Sequence, residues 1–265
     1  MAEPQTPADI PAELAATWIE RWDAQQEGYI PDREERFAVQ ADAVAQAVAG
    51  VDNPVIVDLG CGPGSLTARL AQRLPRATFI GIDANGLLLA LARAHYGEIA
   101  TWVHADLGQP GWEETLPETI HAAVSSTALH WMDGDALSSV YETLAARTAP
   151  GGIFANADHL PLPDERLSAI ADAVAVGRQV RTETGEREGW KDWWTAVLAD
   201  ETLAAWNTTA GRPDKDQHEA AGAEHHHGTN ELSAQAHVDR LLSAGYRSAG
   251  PIWQAGDDHI LVALR

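Results

Sequence analysis

"VIVDLGCGPGSLT", residues 55–67, is the stretch from which the fold can be read. A short apolar run leads into Asp58, and glycine then stands at positions 60, 62 and 64. Glycine loses more backbone freedom on folding than any other residue. Three of them at alternate positions imply a backbone that other residues do not supply. The apolar run has the length and character of a strand covered on both faces. Leu66, Leu70 and Leu74 follow at helical spacing, and Pro75 ends the series. The stretch reads as strand, glycine loop and helix, with free helix N–H groups beside the loop.

Working outward, the same rhythm repeats. "ATFIGID" (77–83), "ATWVHAD" (100–106), "IHAAVSST" (120–127) and "IFANAD" (153–158) read as further strands. Between them lie helical stretches, "GLLLALARAHYG" (86–97) with a stop at Gly97 and "ALSSVYETLAARTAPGG" (136–152) with a Pro-Gly-Gly stop. Strands alternating with helices imply parallel strands joined by right-handed crossovers in a doubly wound α/β sheet. Upstream, "ELAATWIERW" (13–22) reads as a short amphipathic helix and residues 33–49 as a second, with Phe37, Val44 and Val48 on one face. The rhythm breaks over residues 159–231, which hold turn clusters such as "TGEREG" and "GRPDKD". It returns at "SAQAHVDRLLSAGY" (233–246), with Ser233 as N-cap and Gly245 as stop. "SAGPIWQAG" and "DHILVALR" then read as two strands. Their connection is too short for a crossover, so they pair as an antiparallel hairpin. The expected organisation is an N-terminal helical lid over 1–35, a core over 36–158 and 232–265, and a cap insertion over 159–231.

Composition bounds the function. The chain has 265 residues, with 18 Lys plus Arg against 39 Asp plus Glu, a net charge of -21. Such a surface repels phosphate backbones and anionic lipid, so neither nucleic acid nor a membrane is an expected partner. The single Cys61 leaves no internal disulfide and fits a reducing compartment. The first residues show no basic and apolar signal pattern, and no run reaches a membrane span. These readings point to a cytoplasmic location.

The loop spacing is G-x-G-x-G with an acid two residues upstream, whereas a dinucleotide fingerprint is G-x-G-x-x-G and position 65 is Ser. An acid beside the loop suits a ligand that carries positive charge. In an open sheet, that ligand sits beyond the carboxyl ends of the strands.

"VDLGCGPGSLT" resembles the first motif of the class I S-adenosylmethionine-dependent methyltransferases. That resemblance implies a seven-stranded, mostly parallel sheet of Rossmann-like type with an antiparallel last strand. It implies S-adenosyl-L-methionine as cofactor, with S-adenosyl-L-homocysteine as product. It places Asp58, Gly60, Cys61, Gly62 and Gly64 at the cofactor, whose ammonium and sulfonium account for the acid. Asp83 and Ala84, after the second strand, fall where the family binds the ribose hydroxyls. Asp106 and Leu107, after the third, fall where it meets the adenine. Thr127, in "AAVSSTALHW", belongs to the fourth-strand motif that faces the methyl group. Relatives that methylate nucleic acid or protein nitrogen carry a Pro-containing motif there, and this chain reads "SSTALHW" (125–131). It looks more like the small-molecule group that includes trans-aconitate methyltransferase.

Methyl transfer is an in-line displacement at carbon, so the protein must align the acceptor and, for some acceptors, remove a proton. His130, just beyond the fourth strand, is the expected catalytic base, since imidazole titrates near neutrality. Trp131, His159 and Trp194 are the expected acceptor-side residues. His225, His226 and His227 invite a metal reading, but their polar, glycine-flanked setting favours a solvated loop, with acceptor binding as the next alternative, and no metal is expected. The acceptor is expected to be a small molecule of unassigned nucleophile, and the oligomeric state stays open. Two alternatives stand beside the enzyme: a cofactor-binding protein without turnover, and chemistry on the cofactor's aminopropyl chain.

Overall fold

The computed structural model describes residues 9–184, 187–207, 230 and 232–265. The run "VIVDL" forms β1 (Val55–Leu59), and its alternate side chains leave to opposite faces. Ile56 enters one apolar layer and Val57 the other, and both are fully buried. The remaining strands are β2 (Thr78–Asp83), β3 (Thr101–His104), β4 (Ile120–Ser126), β5 (Thr148–His159), β6 (Ser248–Ala255) and β7 (Asp258–Leu264). They form one sheet in the order β3-β2-β1-β4-β5-β7-β6. The first five are parallel, and β7 runs antiparallel to both β5 and β6. The strand order reverses between β1 and β4, which puts the switch point at the carboxyl end of β1.

The helices are α1 (Ala12–Tyr29), α2 (Arg33–Ala47), α3 (Ser65–Arg73), α4 (Gly86–Tyr96), α5 (Gly134–Arg147), α6 (Glu165–Thr182), α7 (Trp190–Ala199), the short α8 (Glu201–Ala204) and α9 (Ala234–Ser243). Phe37 and Val44 of α2 and Leu66 and Leu70 of α3 cover one face of the sheet. Tyr141 and Leu144 of α5 and Leu241 of α9 cover the other. A third layer joins α1, α4 and α7 through Trp18, Trp22, Leu87, Leu91 and Trp193. Among the described residues, no helix is long and apolar enough to cross a membrane.

Three local features differ from the sequence reading. The first helix runs 18 residues, since nothing breaks it before Ile30 and Pro31. The fifth strand starts at Thr148 rather than 153, so Pro-Gly-Gly lies within the strand and Arg147 is the last residue of α5. Thr148 pairs with Ile120, and the ladder resumes only at Ile153 with Ala122. Gly151, at φ 84, carries the chain through that irregularity, and its N–H is held by the Arg265 carbonyl. The lid boundary expected at 35 falls inside α2.

A fully buried ion pair ties the sheet edge together. Arg36 of α2 donates to Asp258 of β7 at 2.7 Å and to the Ser126 hydroxyl of β4 at 2.9 Å. The two charged side chains are 0% and 1% exposed. Breaking a buried pair from one side leaves an uncompensated charge, whereas replacing both partners by apolar groups is often tolerated. We expect Arg36→Met and Asp258→Leu each to destabilise the protein by about 3–5 kcal/mol, and the double variant to regain most of that loss in urea denaturation.

Candidate functional site

The glycines occupy the backbone region that side chains disfavour: φ is 66 at Gly60, 54 at Gly62 and 88 at Gly64. Space adds a second constraint. A Cβ at Gly60 would lie 2.3 Å from the Ala128 methyl, and one at Gly64 would lie 2.6 Å from the Trp102 ring. The loop is therefore wedged between the turn after β4 and the wall of β3. The N–H groups of Gly60 and Cys61 donate to the Ile82 carbonyl at 2.8 and 3.0 Å.

The acids around the loop divide by role. Asp83 accepts from the Gly62 N–H at 2.8 Å and from the Asn85 N–H at 2.7 Å, so it shapes the loop and starts α4. Burial raises its pKa, against those two bonds and the nearby His104. Asp58 is buried and accepts from the Thr67 hydroxyl at 2.6 Å, so its carboxyl faces the first turn of α3. Burial, helped by the charge of Asp83, pushes its pKa up to about 7. Two carboxyls whose ionisation is held back so close together favour a cationic neighbour. Asp106 is exposed and accepts from the Gly108 N–H at 2.8 Å, with half-buried Leu107 beside it packed on the core. The Ala84 carbonyl bonds the His104 ring at 2.9 Å, which joins the ends of β2 and β3. Cys61 is buried, and burial with the flanking carboxylates raises its thiol well above its usual range, so it is no nucleophile.

Beyond β4 the chain turns sharply. Thr127 adopts φ 52, and its N–H bonds the Ala157 carbonyl at 2.8 Å. The turn delivers His130, whose Nδ1 lies 2.6 Å from Asp158 of β5. His130 is 8% exposed and Asp158 is fully buried. Burial alone would raise the Asp158 pKa, but the His130 charge and hydrogen bond, with Arg36 and His159, hold it below the usual carboxylate value. Trp131 packs on His130 at 4.9 Å between ring centroids and remains 39% exposed. His159 is buried and meets Asp257 at 3.4 Å, on the opposite face of β5 from Asp158.

Helix α1 covers the loop. The Trp22 ring would lie 3.8 Å from a Cβ at Gly62, and Asp23 accepts from Ser65 at 2.6 Å and from Arg33 at 2.8 Å. Trp22 also touches Trp190, Trp193 and Trp194 of α7, and Trp194 packs in that cluster half-buried. Both side-chain atoms of Gln25 and the indole N–H groups of Trp193 and Trp194 are buried without hydrogen-bond partners. The sequence reading missed Asp158, Arg36, Trp22 and Gln25. Only Trp22 gave a signal, as one of ten tryptophans in the chain. The histidines 225–227 lie outside the described residues. Among the described residues, no three His, Cys, Asp or Glu side chains gather as metal ligands. An open groove of about 520 Å³, lined by Asp42, Gln46 and Arg73, lies beside Pro54 and Ala77 at the opposite, amino-terminal edge of the sheet.

Residues 56–152 match the model of a methyltransferase domain family. The chain is 32% identical over 197 residues to a trans-aconitate 2-methyltransferase of Methylobacterium nodulans, covering 71% of this chain and 72% of that protein. It is 40% identical over 121 residues to a trans-aconitate 2-methyltransferase of Delftia acidovorans, covering 43% of this chain and 40% of that one. The chain thus spans less than half the length of the Delftia protein. The crystal structure of human N-acetylserotonin methyltransferase in complex with SAM shares the fold, with a TM-score of 0.50 at 16% identity over 97% of this chain and 60% of that chain.

The pKa of Asp58 sets a pH signature. An acid whose folded pKa lies above its unfolded value of about 3.8 contributes its full stability below pH 4, and loses it as pH rises through 7. In the ligand-free protein, Asp58→Asn should therefore gain stability relative to wild type by about 1–3 kcal/mol between pH 5 and 7.5. Denaturant midpoints measured across that range check it, and a flat difference would refute it.

Proposed function

The chain belongs to the class I S-adenosylmethionine-dependent methyltransferases, and on that premise we propose that it methylates a small-molecule acceptor held at the carboxyl edge of the sheet, beside His130. The observation that carries this reading is the glycine loop, wedged against Ala128 and Trp102 and flanked by two carboxyls of raised pKa, Asp58 buried and Asp83 half-buried. S-adenosylmethionine, when bound, supplies an electrophilic methyl on a sulfonium.

In this reading the chain's residues divide the work. Asp83 holds the ribose hydroxyls with the lone pairs that its two backbone bonds leave free. Asp106 takes the adenine amino group and Leu107 lies along the ring. Backbone at Gly60, Cys61, Gly62, Gly64, Ala84 and Thr127 lines the cradle. Asp58 acts through field rather than contact, since its carboxyl is bonded to Thr67. His130 faces the acceptor, with Trp131 beside it. Helices α1, α6 and α7 form a cap that excludes water from the sulfonium, as expected of a site built for charge dispersal. The unpartnered polar atoms of Gln25, Trp193 and Trp194 in that cap suit an acceptor that carries oxygen. His159, on the other face of β5, is the weaker candidate on the acceptor side.

The relatives are named for methylating trans-aconitate, which makes a small acid the first acceptor to try. Release of S-adenosylhomocysteine across a panel of small acids, phenols and amines tests the reading. Release of methylthioadenosine instead would move it to the aminopropyl chain, and binding without any product would make the protein a sensor. Removing charge-assisted bonds to the ribose costs about 1.5–3 kcal/mol each at most. Asp83→Ala should accordingly weaken S-adenosylmethionine binding at least about tenfold by calorimetry, and unchanged affinity would remove Asp83 from the site.

A further inference from the structure

Helix α6 turns its polar side inward and its aliphatic side out. On the inner side, buried Arg178 donates to the Pro31 carbonyl and meets Asp32 at 3.4 Å and Asp258 at 3.5 Å, while Gln179 donates to the Gly28 carbonyl at 2.8 Å. These contacts hold the turn between α1 and α2. Ala171 closes against Gly256, where a Cβ would lie 3.2 Å from the Ala171 carbonyl oxygen. The outer side carries Leu167, Ile170, Val174, Val176 and Val180, each 38% to 73% exposed. They are five of the nine large apolar side chains exposed among the described residues, so the patch belongs to this one helix. A surface helix ordinarily turns such a stripe toward the core. Where the stripe stays outside, a contiguous apolar patch marks a contact site.

The stripe is complementary to itself. Ala169, Ala173 and Gly177 recur at every fourth residue, so they share one face and leave room for a second helix to come close. Counted outward from residue 175, the positions match in pairs: Val174 with Val176, Ala173 with Gly177, and Ile170 with Val180. Two copies of α6 laid antiparallel across a two-fold axis at residue 175 bring each such pair together twice. The smallest side chains then meet near the axis, and branched aliphatic ones fill the space around them. At the ends, exposed Arg166 of one copy comes beside exposed Glu183 of the other, a pair of opposite charge. The outer stripe between these ends holds none of the chain's 39 acids, so the contact itself brings no carboxylates together.

We propose that the outer side of α6 is the face through which this protein pairs with a second copy of itself, the two helices packed antiparallel about a two-fold axis. The occupant is a second copy rather than a foreign helix because one stripe supplies both halves of the fit, in side-chain size about residue 175 and in charge at Arg166 and Glu183. The inner side of the same helix holds the turn between α1 and α2, so the contact braces the cap of each copy from behind. Neither cofactor nor acceptor takes part in it. The net charge of -21 on each chain opposes the approach of two copies at low salt.

Analytical ultracentrifugation of the full chain, without cofactor, across concentration and salt tests the pairing. Wild type is expected to form a dimer that tightens at least about threefold between about 0.1 and 1 M salt, as the Debye length shortens from about 10 to 3 Å and repulsion between the two acidic chains fades. Ile170→Glu should weaken the dimer at least about 100-fold, because it places an unpaired charge in the contact. Gly177→Leu should do the same by holding the helices apart. The monomer of that variant stays folded, since leucine favours helix over glycine and a Cβ there meets only the end of the Arg181 side chain, at 3.0 Å. Unchanged far-ultraviolet circular dichroism checks that point. Arg166→Glu alone should weaken the dimer, and the double variant with Glu183→Arg should return to within about threefold of wild type, which fixes the antiparallel register. A wild type that stays monomeric up to about 0.1 mM at every salt would overturn the proposal and leave the stripe to a different protein or a lipid surface. A dimer indifferent to both Ile170→Glu and Gly177→Leu would overturn it too, by placing the contact elsewhere.

Discussion

One guanidinium with no exposed surface holds the working edge of this molecule together. Arg36 reaches from α2 to the end of β4 and the start of β7, two strands separated in the sheet by β5. A buried charge is tolerated only where partners surround it. Ser126, Thr127 and Asp258 are those partners, and the need to keep them close fixes the turn that follows β4. That turn carries Ala128 against the glycine loop and His130 against Asp158. The local geometry of the loop, the imidazole and the hairpin thus rests on one desolvated ion pair.

The loop itself is overdetermined. Positive φ values disfavour a side chain at all three glycines, and the facing methyl of Ala128 and ring of Trp102 leave no room for one at Gly60 and Gly64. Asp83 then fastens the loop from β2 through the Gly62 N–H. Above it, α1 is pinned by Asp23, which gathers Arg33, Ser65 and Arg69 around one carboxylate. The left-handed backbone that glycine permits is held in place by packing and hydrogen bonds drawn from four separate elements.

Much of this was legible along the chain because its signals are local. Apolar runs, helical spacing and the loop glycines each span fewer than a dozen residues, so the order of strands and helices, the crossovers and the terminal hairpin could all be read. What escaped was held by long separations. Arg36 and Asp258 stand 222 residues apart, and His130 and Asp158 stand 28 apart, one in the turn after β4 and the other on β5. Their meeting depends on sheet order and on which face each side chain takes, and periodicity alone reports neither. Asp58 shows the same limit at short range. Its position beside the loop was legible, but the Thr67 hydroxyl that draws its carboxyl aside was not. The start of β5 was misread because Pro-Gly-Gly, an ordinary stop signal, lies inside a strand that tolerates an irregular pairing.

The tryptophan seam between α1 and α7 has an optical consequence. Trp18, Trp22, Trp190, Trp193 and Trp194 sit with ring centroids 5.0 to 6.5 Å apart, several of them edge to face. Near-ultraviolet circular dichroism responds to aromatic rings held in fixed tertiary packing. Half of the chain's ten tryptophans are in that one seam, so the near-ultraviolet spectrum will be governed by it rather than by the sheet. The protein therefore carries an intrinsic chromophore for the docking of its first helix, readable without any label.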